Sequence, residues 1–285
     1  MYDIGLVGAD GFLGRAIARR SAASGLSVVP FTRSRPIVQD GTLSPAAAGL
    51  PVIVWAAGGV SPLVAAEQPE VAVAELREFT AALRAVASGG RPVRVLLLSS
   101  GGTVYGPPSA PPYREAEGVH PHSAYGRYMV AKERILHEEV GGTALRVANA
   151  YGPGQRGVRG QGVLAFWMRA AHEGRPIQLM GSPAVARDYV YVDDVAAAVV
   201  AAVEAAAVPA ALNVGSGSPT SLEMLLHTLS EVVATRTLDV ERLPSRGVDA
   251  DSTWLDVSLA RDTLGWEAVV SLPDGMERMW RWVTA

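Results

Sequence analysis

The chain has 285 residues, a formal charge of −3 and no cysteine, which excludes disulfides and thiolate metal sites and leaves no electrostatic case for nucleic acid or an anionic membrane. Apolar residues make up 49% of it, enough for the core of one large α/β domain or of a domain with a lobe. No apolar run reaches the ~18 residues of a membrane span and no leader-like segment precedes the first strand pattern, so a cytoplasmic protein is expected.

In chain order, residues 4–7, 27–31, 52–56, 93–99 and 143–147 read as strands. The first four are nearly continuous apolar runs, as parallel strands covered on both faces require. Residues 11–24 and 65–87 read as helices between them. This alternation predicts an α/β fold, a Rossmann doubly wound parallel sheet. The stretch 36–51 must then hold any further strand and helix, and it is short. Beyond residue 150, Gly- and Pro-rich turns separate short elements. The expected division is a dinucleotide-binding domain over 1–150 and a smaller C-terminal substrate-binding lobe over 151–285, with segments returning to the sheet.

Gly8, Gly11 and Gly14 follow the first strand and open the first helix. Glycines at this spacing allow a tight turn and close backbone approach to a pyrophosphate at the helix N-terminus. At the end of the second strand an acid would read a ribose 2′-hydroxyl, whereas arginine accommodates a 2′-phosphate. Here Thr32, Arg33, Ser34 and Arg35 include no acid, which favours NADP over NAD, although arginine also stacks on adenine.

Several further motifs occur in a fixed order: Trp55-Ala56-Ala57-Gly58, Ser99-Ser100-Gly101-Gly102-Thr103-Val104-Tyr105-Gly106, Ala124-Tyr125-Gly126, Leu145-Arg146-Val147-Ala148-Asn149-Ala150-Tyr151-Gly152-Pro153-Gly154, and Arg187-Asp188-Tyr189-Val190-Tyr191-Val192-Asp193-Asp194-Val195. Asn213-Val214-Gly215-Ser216-Gly217 and Leu264-Gly265-Trp266 complete the set. With the glycine turn, they make nearly the whole chain resemble the extended short-chain dehydrogenase/reductases of the nucleotide-sugar epimerase and dehydratase type. The resemblance implies a homodimeric enzyme. Its Tyr exchanges a proton with a sugar hydroxyl while hydride passes to or from a nicotinamide. A Lys four residues on lowers the Tyr pKa, and a Ser or Thr binds the reacting oxygen. Phe12, Leu13, Ala56 and Ala57 fall at positions that line the cofactor in such proteins.

The chain departs from that pattern in three places. Tyr128 and Lys132 satisfy the Tyr-x-x-x-Lys spacing literally and share a helix face. Aligning Tyr125-Gly126 with Glu133 instead makes Tyr125 the acid/base and puts Met129 at the Lys position; the stripe Tyr125, Met129, Leu136, Val140 supports this register. In the strand-end motif the family hydroxyl falls on Gly101, so it would have to come from Ser100 or Thr103. The compact 36–51 stretch suits a reductase.

On the substrate side the resemblance implies that Asn149, Arg187 and Arg246 contact a nucleotide diphosphate and that Asp249 binds the nucleotide ribose, as forked donors and a carboxylate would. Asp193 and Asp194 read as first-turn carboxylates capping a helix over 195–207. The five histidines show no metal spacing, and no metal is expected. The function expected is an NAD(P)-dependent nucleotide-sugar 4-epimerase or 4-ketoreductase working through a keto-sugar. A dehydratase, or a non-catalytic dinucleotide-binding member kept open by Gly101 and Met129, is the alternative.

Overall fold

The computed structural model describes residues 3–157, 162–233, 238–244 and 252–285. Six parallel strands form the central sheet: β1 (Asp3–Val7), β2 (Ser27–Phe31), β3 (Val52–Trp55), β4 (Arg94–Ser100), β5 (Thr143–Val147) and β6 (Ala211–Val214). Their order across the sheet is β6-β5-β4-β3-β1-β2. Every residue of β3 and β5 is buried, so their apolar runs serve layers on both faces. Val7 pairs with Phe31 on one side and Trp55 on the other. The strand order therefore reverses at β1, and a crevice opens outside the carboxyl ends of β1 and β3, where ligands bind in such sheets.

Two helical layers cover the sheet. On one face α1 (Phe12–Ala23) shares a core containing Ile4, Leu6, Ile17, Val195 and Val199 with the later helix Val192–Glu204. On the other, α2 (Pro62–Glu67), α3 (Pro69–Ala87) and α4 (Ala124–Val140) follow in sequence, and Phe31, Phe79, Leu83, Leu97 and Leu136 form the core beneath α3 and α4. Burying one such leucine contributes ~1.5–3 kcal/mol. Ser123 starts α4 by accepting the Gly126 N–H at 2.9 Å, and Gly141 ends it in the left-handed region at φ 62°, which glycine adopts at little cost.

The C-terminal half adds short strand pairs, Asn149–Tyr151 with Tyr189–Tyr191 and Ile177–Met180 with Val240–Leu243. It also returns β6 to the sheet edge beside β5.

Three expectations need correction. The 36–51 stretch contributes no strand to the central sheet: it forms a hairpin of Val38–Gln39 with Thr42–Leu43, too short to extend the sheet, so Trp55 ends the third strand. The helix expected over 65–87 is two, since Pro69 has no N–H to continue the first and starts the second instead. The helix expected over 195–207 begins at Val192, which places Asp193 and Asp194 inside its first turn without side-chain capping. Asp193 instead pairs with Arg19 at 2.5 Å, and Asp194 accepts the Val270 N–H at 3.0 Å.

Candidate active site

The start of α1 and the carboxyl ends of β3, β4 and β5 frame a cavity of about 260 Å³. Phe12 and Leu13 of α1, Ala56 to Gly58 after β3, Ser99 and Ser100 of β4, and Tyr125, Tyr128, Met129 and Lys132 of α4 line one side. Val147 to Tyr151, Gln155 and Tyr189 line the other.

The glycine turn shows why each glycine is there. Gly8 takes φ 87°, and a Cβ on it would stand 2.7 Å from the Ala57 nitrogen. A Cβ on Gly14 would stand 2.1 Å from the Gly8 carbonyl. These two glycines close the turn against β3 and α1. Among the described residues a Cβ on Gly11 meets only the Gly8 oxygen, at 3.1 Å, so no other described contact demands a glycine there. Gly11 is also the N-cap of α1, no side chain accepts there, and the first turn holds no acid. Its orphan N–H groups and positive dipole end are left for an anion. The residues present fit a dinucleotide pyrophosphate. Past β2, Thr32 and Arg35 close a tight turn through reciprocal backbone bonds, leaving Arg33 and Arg35 exposed.

The two tyrosine registers converge on one cavity. Tyr125 is half-buried and Tyr128 buried, with ring centroids 6.1 Å apart. Met129, one turn after Tyr125, is 5% exposed and supplies no charge. Lys132 is buried too, with 2% of its side chain exposed. Its Nζ donates to Ala57 O at 3.3 Å and to Glu75 Oε1 at 3.4 Å, and it lies over the Phe79 ring at 4.9 Å. Tyr128 donates its hydroxyl to the same Glu75 oxygen, and Glu75 Oε2 accepts the Gly59 N–H at 2.8 Å. Burial, reinforced by the Glu75 charge, pushes the Tyr125 phenol up to about 12. The same two causes, together with the Glu75 hydrogen bond, raise Tyr128 further. Burial lowers the Lys132 ammonium, and Glu75 partly restores it. Lys132 is therefore not the solvated helix charge that its spacing alone would allow.

Of the two candidate hydroxyls, Ser100 lines the cavity. Thr103 is not among the lining residues; its Oγ1 is buried without a hydrogen-bond partner. A Cβ on Gly101 would stand 2.6 Å from Leu255 Cδ1 and 2.8 Å from Arg146 O, so packing excludes a side chain at the family's hydroxyl position. Behind Ser100, Ser99 Oγ donates to Glu133 at 2.5 Å, and Glu133 receives Arg146 through Nη2 at 2.8 Å. Arg146 Nη1 also donates to the Tyr105 hydroxyl oxygen at 2.7 Å, and that hydroxyl donates to Asn213 Oδ1 at 2.8 Å. This buried, satisfied network fixes β4, α4, β5 and β6 under the site.

On the far wall, Asn149 donates Nδ2 to Asp188 O at 3.0 Å. Asp188 itself is buried and accepts from Ser216 and Gly217, which fixes the turn after β6. Arg187, adjacent in sequence, donates to Ala186 O at 2.9 Å but is not among the cavity-lining residues. Arg246 and Asp249 lie outside the described residues. Among the described residues no group of three or more His, Asp or Glu is placed to hold a metal ion. No described helix is long and apolar enough to cross a membrane.

Sequence reasoning missed Glu75. It sits among Glu70, Arg77, Glu78 and Arg84 on α3, indistinguishable from an ordinary exposed face, and its partners lie 53 and 57 residues away.

The parallel sheet, the glycine turn and the cavity at the point of strand reversal define a dinucleotide-binding Rossmann protein. Residues 4–215 match the model of the NAD dependent epimerase/dehydratase family, and the chain belongs to that family. It is 31% identical over 191 residues to a dTDP-4-dehydro-6-deoxyglucose reductase of Escherichia coli, covering 65% of this chain and 60% of that protein. It is 29% identical over 305 residues to a dTDP-6-deoxy-L-talose 4-dehydrogenase (NAD(P)(+)) of Kitasatospora kifunensis, covering 97% and 94%. The structure of a UDP-glucose 4-epimerase from Thermotoga maritima with UDP-glucose superposes with a TM-score of 0.85 at 26% identity, covering 98% of both chains.

Proposed function

We propose that the chain is an NAD(P)-dependent nucleotide-sugar 4-epimerase or 4-ketoreductase working through a keto-sugar. The observation that carries this reading is the convergence of Phe12 and Leu13, which lie within the glycine turn's helix start, with Tyr125, Ser100 and Asn149 on one cavity. The relatives named for nucleotide-sugar reduction, dehydrogenation and epimerisation support it.

Gly8, Gly11, Phe12, Leu13, Gly14, Ala56 and Ala57 would hold the dinucleotide, and Thr32, Arg33 and Arg35 its adenosine ribose, with the two arginines favouring NADP. When bound, the nicotinamide supplies or accepts hydride. Tyr125 then gives a proton to the sugar oxygen or takes it, and Ser100 hydrogen-bonds that oxygen. Asn149, Arg187, Arg246 and Asp249 hold the nucleotide, mainly from the 151–285 lobe, while residues 1–150 hold the cofactor. A cytoplasmic homodimer belongs to the same proposal. The absence of cysteine fits a reducing compartment, and Val71 and Val73 expose apolar surface on α3.

Native mass spectrometry after gentle purification, followed by incubation with nucleotide-linked 4-keto and 4-hydroxy hexoses, tests the reading. Carried or titratable NAD(P) together with a product altered at C4 is the expected result. Binding of both ligands without turnover would establish the non-catalytic reading, which Gly101 and Met129 keep open.

A further inference from the structure

Behind the cavity lining lies a carboxylate that the proposed reaction leaves unused, bonded to Tyr128 and Lys132 of the lining. Glu75 reaches from α3 beneath the loop after β3, where the Cβ position of Gly58 is 3.8 Å from its Oε1 and that of Gly59 is 3.4 Å from its Oε2. It accepts from three elements at once: Gly59 of that loop, and Tyr128 and Lys132 of α4. The loop it holds, Ala56 to Gly58, lines the cavity. The charged and titratable groups around it are Lys132, Tyr128 and Tyr125 on α4 and Arg33 past β2, whose Nη2 lies 3.5 Å from the Gly59 Cβ position.

We propose that Glu75 is a positioning residue of this site: it pairs away the Lys132 charge and ties the loop that forms the cofactor wall to α4. The proposal rests on the reading of Tyr125 as the proton-exchanging group. The Glu75 carboxylate acts on that phenol, and the Lys132 ammonium stands on the same helix. The ammonium is the one cation on α4 that reaches the cavity among the described residues, and Glu75 consumes it. A neutral phenol is competent to donate a proton to a sugar alkoxide as hydride arrives at its carbon, and solvent then returns that proton. It is poorly populated as the phenolate that oxidation of a sugar hydroxyl requires. The arrangement therefore suits reduction of a keto-sugar by a reduced nicotinamide dinucleotide better than the reverse step.

The test is Glu75→Gln in the full chain, read by near-ultraviolet tyrosinate absorbance against pH and by the pH–rate profile. With the carboxylate gone, Lys132 faces the tyrosines unopposed, and tyrosine ionisation should move to lower pH by at least about one unit. That component should vanish in Glu75→Gln/Tyr125→Phe. The rate of sugar-hydroxyl oxidation should move with it. If Glu75→Gln fails to fold because Lys132 is left unpaired, Glu75→Gln/Lys132→Met removes both charges, and its ionisation should still lie below wild type, since the Glu75 repulsion is gone. A loss of thermal stability or NADPH affinity with both pH profiles unmoved would show a merely structural carboxylate and overturn the proposal. The absorbance titration needs no turnover. If wild type turns over no nucleotide sugar, the enzymatic reading fails while the titration still decides the role of Glu75.

Discussion

Lys132 Nζ stands 3.4 Å from Glu75 Oε1, with 2% of the lysine side chain exposed and 21% of the glutamate's. The asymmetry in exposure decides what each deletion costs. Glu75→Ala strands a buried ammonium and should destabilise by ~3–5 kcal/mol. Lys132→Met leaves a carboxylate that still binds Gly59 N and Tyr128 and reaches water, so its cost should stay near ~1–2 kcal/mol. Urea denaturation of the two variants checks the order, and equal losses would contradict it.

The glycine turn separates folding from binding. Gly14→Val puts a side chain where the Gly8 carbonyl lies 2.1 Å from the Cβ, so it should fail to fold or lose most of its stability. Gly11→Val meets a single contact at 3.1 Å, so circular dichroism should remain native while calorimetry shows dinucleotide binding lost. Unchanged NAD(P) affinity in Gly11→Val would remove the turn from the cofactor site.

Arg33 and Arg35 are exposed at the end of β2. Their joint replacement by alanine should weaken NADP while sparing NAD, by ~1.5–3 kcal/mol for each charge-assisted hydrogen bond lost. Wild type binding NAD the more tightly would reverse this assignment.

Alkaline stability follows from the buried phenols. Burial raises Tyr125 and Tyr105 to about 12, against an ordinary value of about 10. In the folded state they hold protons that the unfolded chain has released. Their contribution is therefore complete below about pH 10 and is lost as pH rises through about 12. Thermal midpoints should fall across that window, and Tyr125→Phe should flatten part of the fall.

The glycine turn, the apolar runs of the strands and the motif order carried the fold into view, because each is local: a strand feeding a Gly-rich helix start is readable within fifteen or so residues. What stayed hidden depends on distant residues. That Gly101 tolerates no side chain is decided by Leu255. That Lys132 is buried rather than solvated is decided by Glu75, Phe79 and Ala57. Thr103 looked equivalent to Ser100 by composition, and only the strand end and the helical turn Gly101–Val104 separate the cavity-lining hydroxyl from the buried one. The helix expected over 65–87 divides at Pro69, whose missing N–H ends one helix and starts the next.

The two tyrosines give the sharpest variants. Tyr125→Phe should retain cofactor and nucleotide-sugar binding while turnover falls ~10²–10⁴-fold. Tyr128→Phe should be milder. Met129→Lys, which places a cation one turn from Tyr125, should carry the pH–rate profile toward neutrality. Loss of turnover in Tyr128→Phe and Lys132→Ala with Tyr125→Phe still active would transfer the role to the other register.

In the proposed reaction hydride passes between a bound nicotinamide and C4 of a nucleotide-linked hexose. Incubating the protein with a nucleotide 4-keto-hexose and reduced nicotinamide dinucleotide deuterated at its transferable position tests it most directly, with the sugar product read by mass spectrometry. One deuterium at C4 of the product is expected, and none in Tyr125→Phe over the same interval. Unlabelled, unreduced sugar in the presence of demonstrably bound cofactor would contradict it.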